Sequence, residues 1–250
     1  MNIVSFGAGV NSTAMLIGMY ERGIPADMIL FADTGGEKPN TYAHRNEFSE
    51  WLVKHGYPEI KTVQDGNRTL EQECLEKHTL PSIVVGMRSC SDKYKIRPQN
   101  RYLASLPEVV DIWASNERLA KFIGFDAGEP WRVKDSPSQR YENHFPLIEW
   151  EWAREECIAA IERHGLKIPP KSSCFFCPEM TEHEIIELKQ EYPDLAARAI
   201  AMEHNNSALY GVKGLKRKTS FEAIIDYYER QGELPLLNMP SRIPCMCYDG

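Results

Sequence analysis

The chain opens on a short apolar run, Ile3, Val4 and Phe6. This run breaks at Gly7-Ala8-Gly9 and gives way to apolar residues at helical spacing, Met15, Leu16, Met19 and Tyr20. Strand, loop and helix are the elements this pattern predicts. Residues 27–32 form a second apolar run that stops at Asp33-Thr34-Gly35-Gly36, as a strand buried on both faces would. Two strands joined by a helix so early in the chain imply a right-handed crossover, and the expected fold is α/β, an open, mostly parallel sheet with helices on both faces. Pro39 suits a helix start, and Tyr42, Phe48, Trp51 and Leu52 give that helix an apolar stripe as far as about His55. Further strands are expected at 60–63 and 121–125, and a helix after residues 145–150 with Cys157, Ile158 and Ile161 on one face. Beyond Met180 the pattern is helical throughout. Thr181 caps a segment with Ile185, Leu188 and Tyr192; Leu195, Ala199 and Met202 mark another, and Phe221, Ile224, Ile225 and Tyr228 a third. The expected organisation is a main α/β unit over residues 1–180 and a small helical C-terminal lobe over 181–250.

With 250 residues and 42% hydrophobic content the chain can bury a substantial core. No window approaches the apolar length of a membrane span, and Met1 leads straight into the first strand without a signal-peptide pattern, so a cytoplasmic protein is expected. A net charge of −7 argues against a broad nucleic-acid footprint, although a local basic groove is compatible with an acidic body. Seven cysteines without an export signal read as metal or redox ligands rather than a disulfide framework, with Cys74 and Cys157 assigned to core packing.

Three stretches carry chemistry. At residues 7–12 two glycines allow positive φ and close backbone approach, and the N–H groups of the following helix start form an anion site; the other reading is an ordinary βα turn. Ligands of parallel sheets sit at the carboxyl ends of the strands, where both this loop and Asp33-Thr34 fall, so the two are expected to face one crevice. Arg88, Lys93, Lys95, Arg97 and Arg101 have only Asp92 as a nearby acid and read as an anion-binding segment, with solvated surface lysines as the alternative. A second basic run, Lys213, Lys216, Arg217 and Lys218, reads as solvated. Finally, Cys174-Phe175-Phe176-Cys177-Pro178 is a C-x-x-C knuckle that needs partners from elsewhere, Cys90 or the pair Cys245 and Cys247.

In combination these stretches resemble the phosphoadenosine phosphosulfate reductase family, within the Rossmann-like adenine nucleotide alpha hydrolase superfamily. Five matches follow in family order from Met1 to about Met180. In the pyrophosphatase loop, Gly7 stands for the leading serine, Ala8 and Gly9 for the glycine pair and Asn11 for the aspartate, while Ser12 matches outright. Val10 occupies a position where many relatives carry lysine, so a basic group from elsewhere must compensate, or the anion is smaller. The second match is Asp33-Thr34-Gly35 with Pro39, Thr41 and Tyr42. Cys90 before a basic helix ending at Pro98 is the third, residues 126–132 with Glu129 and Arg132 the fourth, and C-x-x-C-P the fifth.

The resemblance implies a nucleotide site, for ATP or phosphoadenosine phosphosulfate, of Ser5, Gly7, Ala8, Gly9, Asn11, Ser12, Asp33, Thr34 and Arg132. It implies anion or substrate contacts from Arg88, Lys93, Lys95, Arg97 and Glu129. It also implies a four-iron iron–sulfur cluster on Cys90, Cys174 and Cys177, with or without a fourth ligand from Cys245 or Cys247, against a structural zinc on Cys174, Cys177, Cys245 and Cys247. A single Cys90 with one C-x-x-C, and tail cysteines outside the glutamate-cysteine-glycine context, favour ATP-dependent adenylation coupled to sulfur transfer. That reaction would call for Mg2+, a sulfur donor and an acceptor that is nucleic acid or a small molecule. The alternatives are reduction of adenylylated sulfate, with a thiol reductant and Cys245 or Cys247 as nucleophile, and a non-catalytic nucleotide-binding module.

Overall fold

The computed structural model describes the chain except residues 65, 67, 82, 85, 86, 134–137, 211–213, 217, 218 and 232–250; for residues 83, 84, 87, 88, 209 and 210 only the backbone is described. Cys245, Cys247, Lys213, Arg217, Lys218 and the side chain of Arg88 therefore lie outside the described residues.

In chain order the first elements are β1 (Asn2–Ser5), α1 (Val10–Glu21), β2 (Met28–Ala32), α2 (Pro39–Lys54), β3 (Ile60–Val63) and α3 (Leu70–Lys77). A small hairpin, β4 (Ile83–Val84) and β5 (Met87–Arg88), precedes the short α4 (Ser89–Ser91), then α5 (Arg97–Ala104) and α6 (Pro107–Ala114). After them come β6 (Leu119–Ile123), β7 (Tyr141–His144), α7 (Pro146–Glu149) and α8 (Arg154–Arg163), and the lobe is α9 (Glu182–Glu191), α10 (Pro193–Tyr210) and α11 (Phe221–Gln231). Five strands form one sheet in the order β3-β2-β1-β6-β7, and every pairing is parallel. The expected α/β fold is what the structure shows.

Alternation along the strands divides the sheet's two faces. Val4 and Phe6 pack under α1, α2 and α8 with Phe48, Leu52, Cys157 and Ile161, whereas Ile3, Leu30, Val63 and Leu119 pack under α5 and α6 with Leu103 and Val109. A third core gathers Ile185, Leu188, Met202, Phe221 and Ile225 of the lobe around Leu70, Cys74, Tyr94, Phe175 and Phe176. The lobe thus packs on α3 and on the segment that bears C-x-x-C. Thr181 caps α9 as expected, in a reciprocal capping box with Glu184.

Two local expectations are corrected. The basic helix does not end at Pro98: α4, a π-helical turn at Asp92–Ile96 and α5 run on to Ala104, with Pro98 near the start of α5. Proline removes one N–H and crowds the preceding turn, and the widened π turn just upstream gives it room. The left-handed residue of the first loop is Ala8, at φ 56°, rather than Gly7 or Gly9. Gly9 is extended at φ −106° and is the residue before α1; its missing side chain leaves room for a neighbour instead.

Candidate functional site

Strand order reverses between β1 and β6, because β1 crosses over to β2 on one side while the chain returns much later to lay β6 on the other. Such a switch point opens a crevice outside the carboxyl ends of the two strands. Here an open pocket occupies it, lined by Gly7, Gly9, Asn11 and Ser12 after β1, by Gly124 and Phe125 after β6, and by Ser5, Arg132, Arg154, Lys171 and Ser172. A methyl group on Gly124 would sit 3.1 Å from the Ser12 Cα and backbone nitrogen, and one on Gly9 would sit 3.1 Å from the Ser172 Oγ. Both glycines are there because two backbones, or a backbone and a hydroxyl, approach too closely for a side chain.

Positive side chains line the crevice. Among the described residues that line it are three cations, Arg132, Arg154 and Lys171, and no acid. Gly9 caps α1 without a side-chain acceptor, so amides of the first helical turn point at the crevice mouth with the positive end of the helix dipole. Ser12 Oγ accepts from the Gly7 amide at 3.2 Å and fixes the loop. Behind this surface lies an acidic pair: Asn11 Nδ2 donates to Asp126 Oδ2 at 2.9 Å and to Glu129 Oε2 at 3.4 Å, while Asn11 Oδ1 accepts from Arg154 Nη1 at 3.2 Å. Arg132 donates from Nη1 to both Glu129 oxygens, at 3.2 and 3.0 Å, with its guanidinium 4.1 Å over the Phe125 ring. Burial pushes the Glu129 carboxyl above the usual carboxylate range, with Arg132 pulling the other way. An aspartate at position 11 would meet two carboxylates already in place, which gives asparagine there a physical reason.

A second cavity is made of other material. Leu70, Pro81, Phe176 and Pro178 wall it, and Cys90, Cys174 and Cys177 all line it, with Thr34, Ser91 and Lys95. The Cys174 Sγ lies 3.0 Å from the Thr34 Oγ1. The knuckle is held by the Phe175 amide donating to the Gly36 carbonyl at 2.8 Å and the Cys177 amide to the Cys174 carbonyl at 3.0 Å. Gly36 is required here, since a methyl group on it would lie 2.7 Å from the Phe176 ring. Cys90, Cys174 and Cys177, three of the predicted ligands, therefore line one cavity, although among the described residues no three Cys, His, Asp or Glu side chains close into a metal-binding set.

Other predicted residues fall elsewhere. Asp33 does not line the β1–β6 crevice: with Thr34 it lines a separate depression, where its carboxylate accepts from the Gly35 amide at 2.7 Å, Tyr42 Oη at 2.8 Å and Gln64 Nε2 at 2.9 Å. Lys93 is paired with Glu73, which also accepts from Tyr94 Oη at 2.6 Å and is held down at about 2, chiefly by the Lys93 hydrogen bond. Arg97, largely exposed, pairs with Asp92 at 2.5 Å, and Lys95 is the member of the basic segment that reaches a cavity. Sequence reasoning gave no role to Arg154, Lys171 and Ser172. The last two were signalled only by lying just ahead of the C-x-x-C, and Arg154 by nothing local.

No protein-family model matches the chain, and no curated protein matches it. Among solved structures it is similar to the U34-tRNA thiolase NcsA from Methanococcus maripaludis with its 4Fe-4S cluster, at 17% identity and a TM-score of 0.39, over 93% of this chain and 81% of that one.

Proposed function

We propose that the chain binds an adenine nucleotide with its phosphates in the β1–β6 crevice and uses it to adenylate an acceptor that then receives sulfur. The observation that supports this reading is the junction of two unlike cavities along residues 171–178: loop amides and three cations at one end, three thiols at the other. In the proposed reaction an acceptor oxygen attacks the α-phosphorus of ATP. The bond to the bridging oxygen breaks and pyrophosphate leaves with the bonding electrons; a sulfur nucleophile then displaces AMP from the activated carbon. Amides of the first turn of α1, with Arg132, Arg154 and Lys171, would hold the phosphates and offset the charge that develops on the departing pyrophosphate. Magnesium, when bound, would share that charge. Cys90, Cys174 and Cys177 offer three soft sulfur donors of the kind that suits a four-iron cluster, and three protein ligands would leave its fourth iron open. When bound, such a cluster would supply an iron able to carry sulfur. The acceptor would be a nucleic-acid base or a small molecule.

The test incubates pure, metal-loaded protein with α-labelled ATP, with and without bulk tRNA, and separately with phosphoadenosine phosphosulfate and a dithiol. Pyrophosphate and AMP released only with the acceptor support the reading. Sulfite release would replace it with the reductase, and no binding of ATP in a calorimeter would remove it. Replacing any one of Cys90, Cys174 and Cys177 by serine should lose bound metal and its visible absorbance together; stoichiometric zinc retained without Cys90 would overturn the ligand set.

A further inference from the structure

The phosphate loop itself carries no charge, since residues 7–13 read Gly-Ala-Gly-Val-Asn-Ser-Thr, so every cation in the crevice comes from another part of the chain. Two of the three are tied to the crevice's own framework, Arg132 to Glu129 and Arg154 to Asn11. Lys171 comes from the opposite wall, next to Ser172, whose hydroxyl lies against Gly9. Its ammonium pairs with Glu184 on α9, at 2.9 Å to Oε1 and 3.1 Å to Oε2. Glu184 is fixed from behind, because its Oε2 also accepts from the Thr181 amide at 2.7 Å as one half of the capping box. Both side chains are largely buried, at 16% and 7% exposed, and an ion pair shielded from water in this way resists screening by salt.

We propose that Lys171 is a phosphate-binding residue shared between the crevice and Glu184, so that an incoming polyphosphate competes with Glu184 for its ammonium. This rests on the nucleotide reading above and adds to it a residue and a restraint. Glu184 holds the cation beside the site when the crevice is empty and lowers affinity for an anion by the strength of that hold. The hinge of the exchange is the lysine's flexible stem, since Glu184 stays with its helix cap.

Opposite signs test it. Calorimetry would compare ATP, inorganic pyrophosphate and adenosine on the full chain, on Lys171→Met and on Glu184→Gln. Lys171→Met should weaken ATP and pyrophosphate by roughly ten- to a hundredfold, the worth of one charge-assisted hydrogen bond, and leave adenosine unchanged. Glu184→Gln keeps an acceptor for the Thr181 amide, so α9 stays capped, and it should tighten both anions several-fold. If Lys171 were only a clasp between the cysteine segment and α9, both variants would weaken binding together, and that outcome overturns the proposal. Unchanged affinity in both variants, with ATP still bound by the unaltered protein, overturns it as well and leaves the nucleotide reading standing. An unaltered protein that binds neither ATP nor pyrophosphate overturns both.

Discussion

The β1–β6 crevice and the three-cysteine cavity sit at either end of residues 171–178, yet one is walled by amides, hydroxyls and cations and the other by leucine, proline and phenylalanine. The first has the lining that attracts hard oxygen anions and the second offers the soft donors that attract thiophilic metals. Each wall also depends on a glycine in a different way. Gly124 admits the backbone of Asn11 and Ser12, whereas Gly36 admits the ring of Phe176. The difference teaches that the crevice is specified by backbone fit and the thiol cavity by side-chain packing, and the two should break separately.

The largest effect expected is that of Gly124→Val. Its side chain meets loop backbone that cannot step aside, so ATP affinity should fall more than a hundredfold in calorimetry, while thiol titration in the second cavity stays normal. Gly36→Ala is the mirror experiment: displacing Phe176 should lower the melting free energy by about 1–3 kcal/mol and alter thiol reactivity at Cys174, with ATP affinity nearly retained. Equal damage to both properties by either variant would merge the two cavities into one cooperative unit.

Asn11→Asp tests the polar side from behind. A third carboxylate beside Asp126 and Glu129 would lose two hydrogen bonds and add repulsion, which should destabilise the fold by about 2 kcal/mol near neutral pH. The loss should shrink as the pH falls, because Glu129 already takes up a proton more readily than an ordinary glutamate. A denaturant series at two pH values measures it.

On the thiol side, burial pushes Cys74 up to about 11 and Cys157 up to about 12, so neither presents a thiolate at pH 8. Mass spectrometry after brief iodoacetamide treatment of native, metal-free protein should find modification at Cys90, Cys174 or Cys177 before Cys74 or Cys157. The smallest effect concerns Glu73, which joins α3 to the basic segment. Its carboxyl is depressed from 4.5 to about 2, so its contribution is complete above the unfolded value and is lost as the pH falls from about 4.5 towards 2. Glu73→Gln should cost about 1 kcal/mol at neutral pH and flatten the stability profile in that acid window, as followed by circular dichroism.

Residues 3–6, with Ser5 their one polar member, and 28–32 announced the centre of the sheet because buried parallel strands read as near-continuous apolar runs, and Thr181 announced α9 through its capping box. The crevice was legible in its β1 loop and in Arg132 after β6. Arg154, Lys171 and Ser172 reach it through the switch in strand order and the fold-back of the C-x-x-C segment, and no local periodicity encodes either. Asp33 shows the converse: its motif was readable, but its carboxylate ties the loop to Tyr42 and Gln64 outside the crevice. The left-handed Ala8 escaped because φ is set there by how the loop must turn between β1 and α1, and the residue with the freedom to turn is not the one that does so.

The placement of β1 has a consequence for how the molecule is made. Among the described strands it comes first in the chain, and it can pair with β2 once that strand is made, but its other edge stays open until β6 arrives and Asn2 finds Ala120 and Ser5 finds Ile123. Until then the nascent sheet presents an unpaired, apolar edge to the surroundings, the kind of template that recruits other chains. Closing that edge brings together residues far apart in sequence, a slow step for any chain. The switch point that opens the crevice is thus also a seam that closes late, and the crevice is complete only when translation has passed β6, β7 and Ser172.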